Sequence, residues 1–195
     1  MREARSASAG HLRRWSGGLG CASSRRMREG LGLLLAVQAG VLSYPLFLSL
    51  AAALGAALGL PARPLSPPPP AGPRLLISSL LLAPLLEEGV HRGVVLGALR
   101  RTRLGAAGAV LLSSASFALP HREPWAMLGT FGVGLALGLS RVAGASLAFC
   151  AAAHGGLNWA GLHAGWQGRG PLHSGTGLLL WGLALGLARA EKGPR

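Results

Sequence analysis

The chain is 195 residues long, half of them hydrophobic and only 13% charged, where a soluble domain would carry about 25% charged residues; an ordinary water-soluble domain is therefore excluded. Its net charge of +13 comes from 18 Arg and one Lys against six Glu and no Asp. Those Arg residues lie in the N-terminal tail and between apolar stretches, the pattern of a membrane topology signal and not of a groove-binding patch, so no nucleic-acid partner is expected.

Residues 1–30 are rich in Arg, Ser and Gly without a sustained apolar period, and read as a flexible basic tail. Met27 stands just before the first apolar run and is a candidate start. Arg25-Arg26 resembles a secretory or twin-arginine signal, but the apolar stretch continues from Leu31 to Leu60, well past a signal's apolar region. The remainder, 31–195, is expected to be an integral membrane domain. Its fold class is all-α: a polytopic bundle of about six transmembrane spans at 31–59, 75–99, 104–121, 124–141, 144–163 and 174–190. Tyr44-Pro45 is positioned to kink the first span into two halves. The proline-rich run 61–70 is expected to be a stiff, extended connector. The third to sixth spans are rich in Gly and Ala, which lets membrane helices approach closely. Cys21 in the tail and Cys150 in the fifth span are placed too differently to pair, and Cys150 reads as a small buried hydrophobe. Trp125, Trp159, Trp166 and Trp181 read as interface belt or packing, and His163 and His173 as interfacial or loop residues.

With six spans, one side of the membrane receives the seven Arg of the tail, Arg100, Arg101, Arg103, Arg141, Arg189, Lys192 and Arg195. The other receives Arg63, Arg74, Arg122 and Arg169. The positive-inside rule then puts both termini in the cytoplasm. An integral, multi-pass position in a bacterial cell membrane, in contact with membrane lipids, is the expected location.

The second span carries Glu87-Glu88-Gly89-Val90-His91-Arg92 inside an apolar stretch. A charge near the bilayer centre costs about 2.5–3.5 kcal/mol even on mild insertion scales, so such a cluster marks a functional site. Residues four apart share a helix face, which aligns Glu87 with His91 and Glu88 with Arg92. Arg92 can then neutralise Glu88 and leave Glu87 free, although a structural salt-bridge network accounts for the same residues. Phe117-Ala118-Leu119-Pro120-His121 closes the third span. His154 and Asn158 share one face of the fifth, with Gly155 and Gly156 expected to clear room beside them.

The three blocks in order, Glu-Glu-x-x-x-Arg, Phe-x-x-x-His and His-x-x-x-Asn, resemble those of the CPBP family of intramembrane proteases, also called the CAAX-processing or Abi family. The protease-like core spans about 75–165. The resemblance implies a transmembrane bundle with a polar cavity, and an endopeptidase acting on membrane-associated proteins or peptides. It implies Glu87 as the base that activates water, assisted by His121. His154 and Asn158 stabilise the oxyanion, and Glu88 and Arg92 support the site. No cofactor is expected, although zinc remains a chemical alternative; Glu87, His121 and His154 would then be its ligands. His91 occupies a variable position of the first motif, and His121 falls near the outer membrane edge, where a cytoplasm-facing cavity would not place it. Two rivals share the same residues: a small transporter or proton relay, and an inactive immunity or binding protein on this fold.

Overall fold

Long apolar runs with no strand-like alternation become helices, and no strand occurs among the described residues of the computed structural model. Backbone is described for 3–61, 72–163 and 171–190, and side chains for 26–61, 72–163 and 175–187. Six helical rods follow in chain order. Helix α1 is Glu3–Ala57. Rod α2, residues 73–99, alternates α-helical Pro73–Ile77, Ala83–Glu88 and Leu96–Leu99 with π-helical Ser78–Leu82 and Gly89–Val95. Helix α3 (Gly105–Ala118) ends in the 3₁₀ turn Leu119–His121. Helices α4 (Pro124–Val142), α5 (Leu147–Leu162) and α6 (Pro171–Ala190) complete the chain.

The helices fall within a few residues of the expected spans, with two corrections at the first. Helix α1 takes in residues 3–30, expected as a flexible tail. A nucleated helix extends one hydrogen bond at a time without a second nucleation cost, so the stretch is helical despite its Gly and Ser. Nor does Tyr44-Pro45 divide the span, because Pro45 lies inside a continuous helix. Neighbouring helices make such a proline tolerable in a membrane bundle. The connector from residue 62 to 70 lies outside the described residues, as do Trp166, Arg169 and the side chains of Cys21 and His173.

Helix α1 is the spine: it packs along α5 and α6 and partly against α4, while α3 packs on α4. Rod α2 joins the bundle at two places, its N-terminal half against α5 and its C-terminal half against α3. The main apolar core combines Ala36 and Ala39 with Leu137, Phe149, Cys150, Ala153, Trp181 and Ala184. Small residues dominate because the backbones nearly touch. A Cβ on Gly40 would fall on the Ala153 carbonyl oxygen, and one on Gly156 would fall on that of Val37. One on Gly155 would sit 2.7 Å from the Leu80 carbonyl oxygen. Gly155 and Gly156 were expected to clear room beside His154; instead they let α5 lie against α2 and α1. Trp181 is buried, its indole N–H donating to Ser140 Oγ at 2.7 Å.

Polarity runs opposite to that of a water-soluble helix along α2. Leu81, Leu82, Leu85, Leu86, Val90 and Val94 are all more than half exposed, while Glu88 and Arg92 are 1% and 2% exposed. In water that arrangement would be costly on both faces. Surrounded by lipid it is the expected one, since intramembrane ionisable groups face the bundle interior. Stretches Arg26–Ala57 and Pro124–Val142 are individually long and apolar enough to cross a bilayer.

The close α1–α5 contact predicts unequal effects of equal substitutions. Gly156→Ala should destabilise the protein by about 1–3 kcal/mol through overpacking. Gly182→Ala, where nothing lies within 4 Å of the added methyl, should stabilise it by up to about 1 kcal/mol. Thermal unfolding of the two purified variants in one detergent measures the difference.

Candidate active site

Rod α2 presents its ionisable residues where α-helix gives way to π-helix, at Glu88 and Gly89. Such wide turns inside α-helices are frequent at functional sites. Glu88 points inward and uses one oxygen twice. Its Oε1 accepts from Arg92 Nη1 at 2.8 Å and pairs with His154 Nδ1 at 2.9 Å. The pairing of Glu88 with Arg92 expected from their spacing is therefore present, and a second helix, α5, joins it through His154. Arg92 also donates through Nη2 to the Gly134 carbonyl at 3.3 Å, and its guanidinium lies 4.3 Å from the centre of the Phe117 ring. That ring face supplies the electrostatic attraction of a cation–π contact. Glu88 Oε2 has no hydrogen-bond partner among the described residues.

Phe117 is the hub of the site. The rings of His91, His121 and His154 meet it edge to face, with centroids 5.4, 5.7 and 5.4 Å away. In the sequence Phe117 is the first residue of the Phe-x-x-x-His block, with no role of its own implied. Its spacing of four from His121 was the available signal, since that spacing sets two rings on one helix face. His91 does not pair with Glu87 as the shared face suggested. Its Nδ1 lies 3.0 Å from Ser116 Oγ, and its carbonyl accepts from Ser113 Oγ at 2.8 Å, so it ties α2 to α3.

The end of α3 is shaped by its prolines. Pro120 is the middle residue of the 3₁₀ turn that carries His121. Arg122 follows at φ 51°, the only non-glycine residue with positive φ among those described. Glu123 then caps α4, its carboxylate accepting from the Ala126 N–H at 2.7 Å, and Pro124 takes the first helical position. This tight corner turns His121 back into the bundle. Its Nδ1 is buried with no hydrogen-bond partner among the described residues.

His121, His154 and Asn158 line one cavity of about 200 Å³, closed by Phe117, by Tyr44 and Phe47 of α1, and by Trp125 and Thr130 of α4. The amide of Asn158 donates from Nδ2 to the Ser79 carbonyl at 2.8 Å, a backbone oxygen of the first π-helical stretch. That bond uses one of its two N–H groups and leaves the other free to serve a ligand. Glu87 is not among the cavity walls. Its side chain is 37% exposed, and its Oε2 lies 3.8 Å from His154 Nε2. The structure thus brings three of the four candidate residues to one space and sets Glu87 at its edge, across the His154 ring. Elsewhere, Trp159 stacks on His163 at 4.2 Å, away from the cavity walls.

Residues 69–160 match the family model described as type II CAAX prenyl endopeptidase, Rce1-like. Over that segment the chain is similar to this family. The match covers all three sequence blocks and every side chain of the buried cluster, and it supports the CPBP membership read from the motifs. The family is one of membrane-embedded endopeptidases. No curated protein and no solved structure matches the chain.

The zinc alternative can be tested against the donor set. Among the described residues, no three His, Cys, Asp or Glu side chains are grouped as metal ligands. His154, with Nδ1 on Glu88, keeps Nε2 as its one available donor. As arranged, Glu87, His121 and His154 do not form a zinc cage.

The buried pair makes a testable case. Arg92→Leu leaves Glu88 buried without its cation and should cost about 3–5 kcal/mol. The double substitution Glu88→Leu/Arg92→Leu should recover a substantial part of that loss. A double variant no more stable than Arg92→Leu, by thermal unfolding in detergent, would show that the two charges do not act as a pair.

Proposed function

We propose that this chain is an intramembrane endopeptidase that hydrolyses a peptide bond of a membrane-associated protein or peptide, using a water activated by Glu87 and His121. The observation that carries the reading is the meeting of His121, His154 and Asn158 at one cavity with Glu87 at its rim. A general base must come within about 3 Å of the water it activates, directly or through one more water. In this reading the water sits between His121, at the cavity wall, and Glu87, beside the His154 ring. The free N–H of Asn158 and the ring of His154 face the same space from α5. They are placed to stabilise charge developing on a carbonyl oxygen, an interaction worth far more in a water-poor cavity than in bulk solvent. Glu88 and Arg92 support that wall without lining the cavity.

The cavity lies in the half of the bundle where α3 and α5 end and α4 begins. With six spans and both termini cytoplasmic, as the Arg distribution favours, that half is directed away from the cytoplasm. A bacterial cell membrane is the proposed setting.

Glu87→Gln keeps shape and removes basicity. The purified variant should insert and unfold like the parent, yet lose at least about a hundredfold in hydrolysis of a membrane-spanning or C-terminal peptide. Turnover near that of the parent would refute the assignment of Glu87.

Metal dependence is decided separately. Hydrolysis should survive exhaustive chelation and dialysis of the purified protein. Loss on chelation with recovery on added zinc would instead make His121 and His154 ligands.

A further inference from the structure

We infer that Glu88 is a positioning residue that holds His154 with its proton on Nδ1 and its bare Nε2 turned toward Glu87. His154 therefore enters the reaction as a proton acceptor and becomes an oxyanion donor only after protonation. The inference rests on the endopeptidase reading above and assigns a sequence of states to one of its residues.

The argument starts from donor and acceptor inventory. Glu88 Oε1 accepts from Arg92 Nη1 at 2.8 Å, so it is the carboxylate of an ion pair and can only accept. His154 Nδ1, 2.9 Å from the same oxygen, must then be the donor. A neutral imidazole carries one proton. With that proton on Nδ1, Nε2 has a lone pair and cannot donate to an oxyanion. Nε2 lies 3.8 Å from Glu87 Oε2, the carboxylate at the cavity edge.

The packing removes the alternative ring orientation. Turning the imidazole over would set a carbon against Glu88 Oε1 and forfeit the buried bond. The ring is held edge to face against Phe117 with centroids 5.4 Å apart. Phe117 in turn lies under the Arg92 guanidinium, and Arg92 is tied to Gly134. Carboxylate, guanidinium and phenyl ring thus fix one imidazole in one tautomer, as a carboxylate behind a catalytic or metal-bound histidine does in other proteins.

The proton then has a path that balances. Water gives its oxygen to the peptide carbonyl carbon and one proton to Glu87. Glu87 passes that proton to His154 Nε2, making an imidazolium with N–H on both sides. The new Nε2–H faces the negative carbonyl oxygen while the Glu88 carboxylate stabilises the positive ring. When the tetrahedral species collapses, the carbon–nitrogen bond breaks and the proton is delivered to the departing amine. One water is consumed, and the protein returns to its starting state.

The test reads the tautomer directly. In detergent-purified protein labelled with nitrogen-15 histidine, the His154 ring signals are assigned by their loss in His154→Gln. The parent should show Nδ1 protonated and Nε2 bare in the neutral ring, without substrate. An Nε2–H ring in the parent overturns the inference even if the protein hydrolyses peptides. A parent with the Nδ1–H ring and no hydrolysis overturns the endopeptidase reading and leaves the tautomer assignment standing. In Glu88→Leu/Arg92→Leu, with folding verified by thermal unfolding, the ring should shift toward the Nε2–H form. The value of kcat should fall about 10²–10⁴-fold with little change in KM. An unchanged Nδ1–H ring in that variant overturns the role of Glu88. Should the double variant not fold, the parent spectrum alone still supports or overturns the assigned tautomer.

Discussion

One carboxylate oxygen organises this molecule. Glu88 Oε1 receives an arginine from its own rod and a histidine from α5, and all three side chains are almost wholly buried. A charge placed alone at this depth would cost several kcal/mol, and a pair recovers that cost only when its remaining hydrogen bonds are met. On the arginine side this condition is met through the Gly134 carbonyl of α4 and the Phe117 ring of α3, while Glu88 Oε2 has no partner among the described residues. Four helices are therefore held in register by one ion pair. A buried pair adds little net stability against an apolar substitute, but it has few acceptable geometries, and so it constrains how the helices can pack.

The rest of the fold is arranged to let that cluster exist. Lipid gives little hydrophobic drive between helices, so association depends on close packing and hydrogen bonds. Gly40, Gly155 and Gly156 bring α1 and α2 onto the backbone of α5, where a side chain would collide with a carbonyl oxygen. Gly134 does the same for α3 and α4, where a Cβ would sit 2.9 Å from that of Ser114. Rigid contacts on the outer faces of α5 leave its inward residues, His154 and Asn158, standing over the cavity. The π-helical stretches of α2 complete the arrangement. One exposes the Ser79 carbonyl to Asn158, and the other begins next to Glu88.

Much of this was legible before any coordinates. Apolar length located the helices to within a few residues, the start of α1 apart, because crossing a bilayer requires about twenty apolar residues. The spacing of four paired Glu88 with Arg92, a relation local to one rod. The order of the three blocks led to the same family as the match over residues 69–160. What failed was judged from composition alone. The basic stretch before residue 30 is helical, and Pro45 does not interrupt α1. Gly155 and Gly156 looked like empty space beside a histidine and turned out to be filled by neighbouring backbones.

The sequence by itself determined that ionisable residues lie in apolar spans, which helices carry them, and which neighbours share a face, since these depend only on helical period and the cost of charge in lipid. It could not say which imidazole meets which carboxylate. His154 and Glu88 are 66 residues apart, and their contact depends on how closely α5 approaches α2. That approach is set by Gly155 against the Leu80 carbonyl, a steric fact of two helices together and of neither alone. Tertiary packing likewise turned His121 from the edge of a span into a cavity wall and made Phe117 the surface on which three histidines rest.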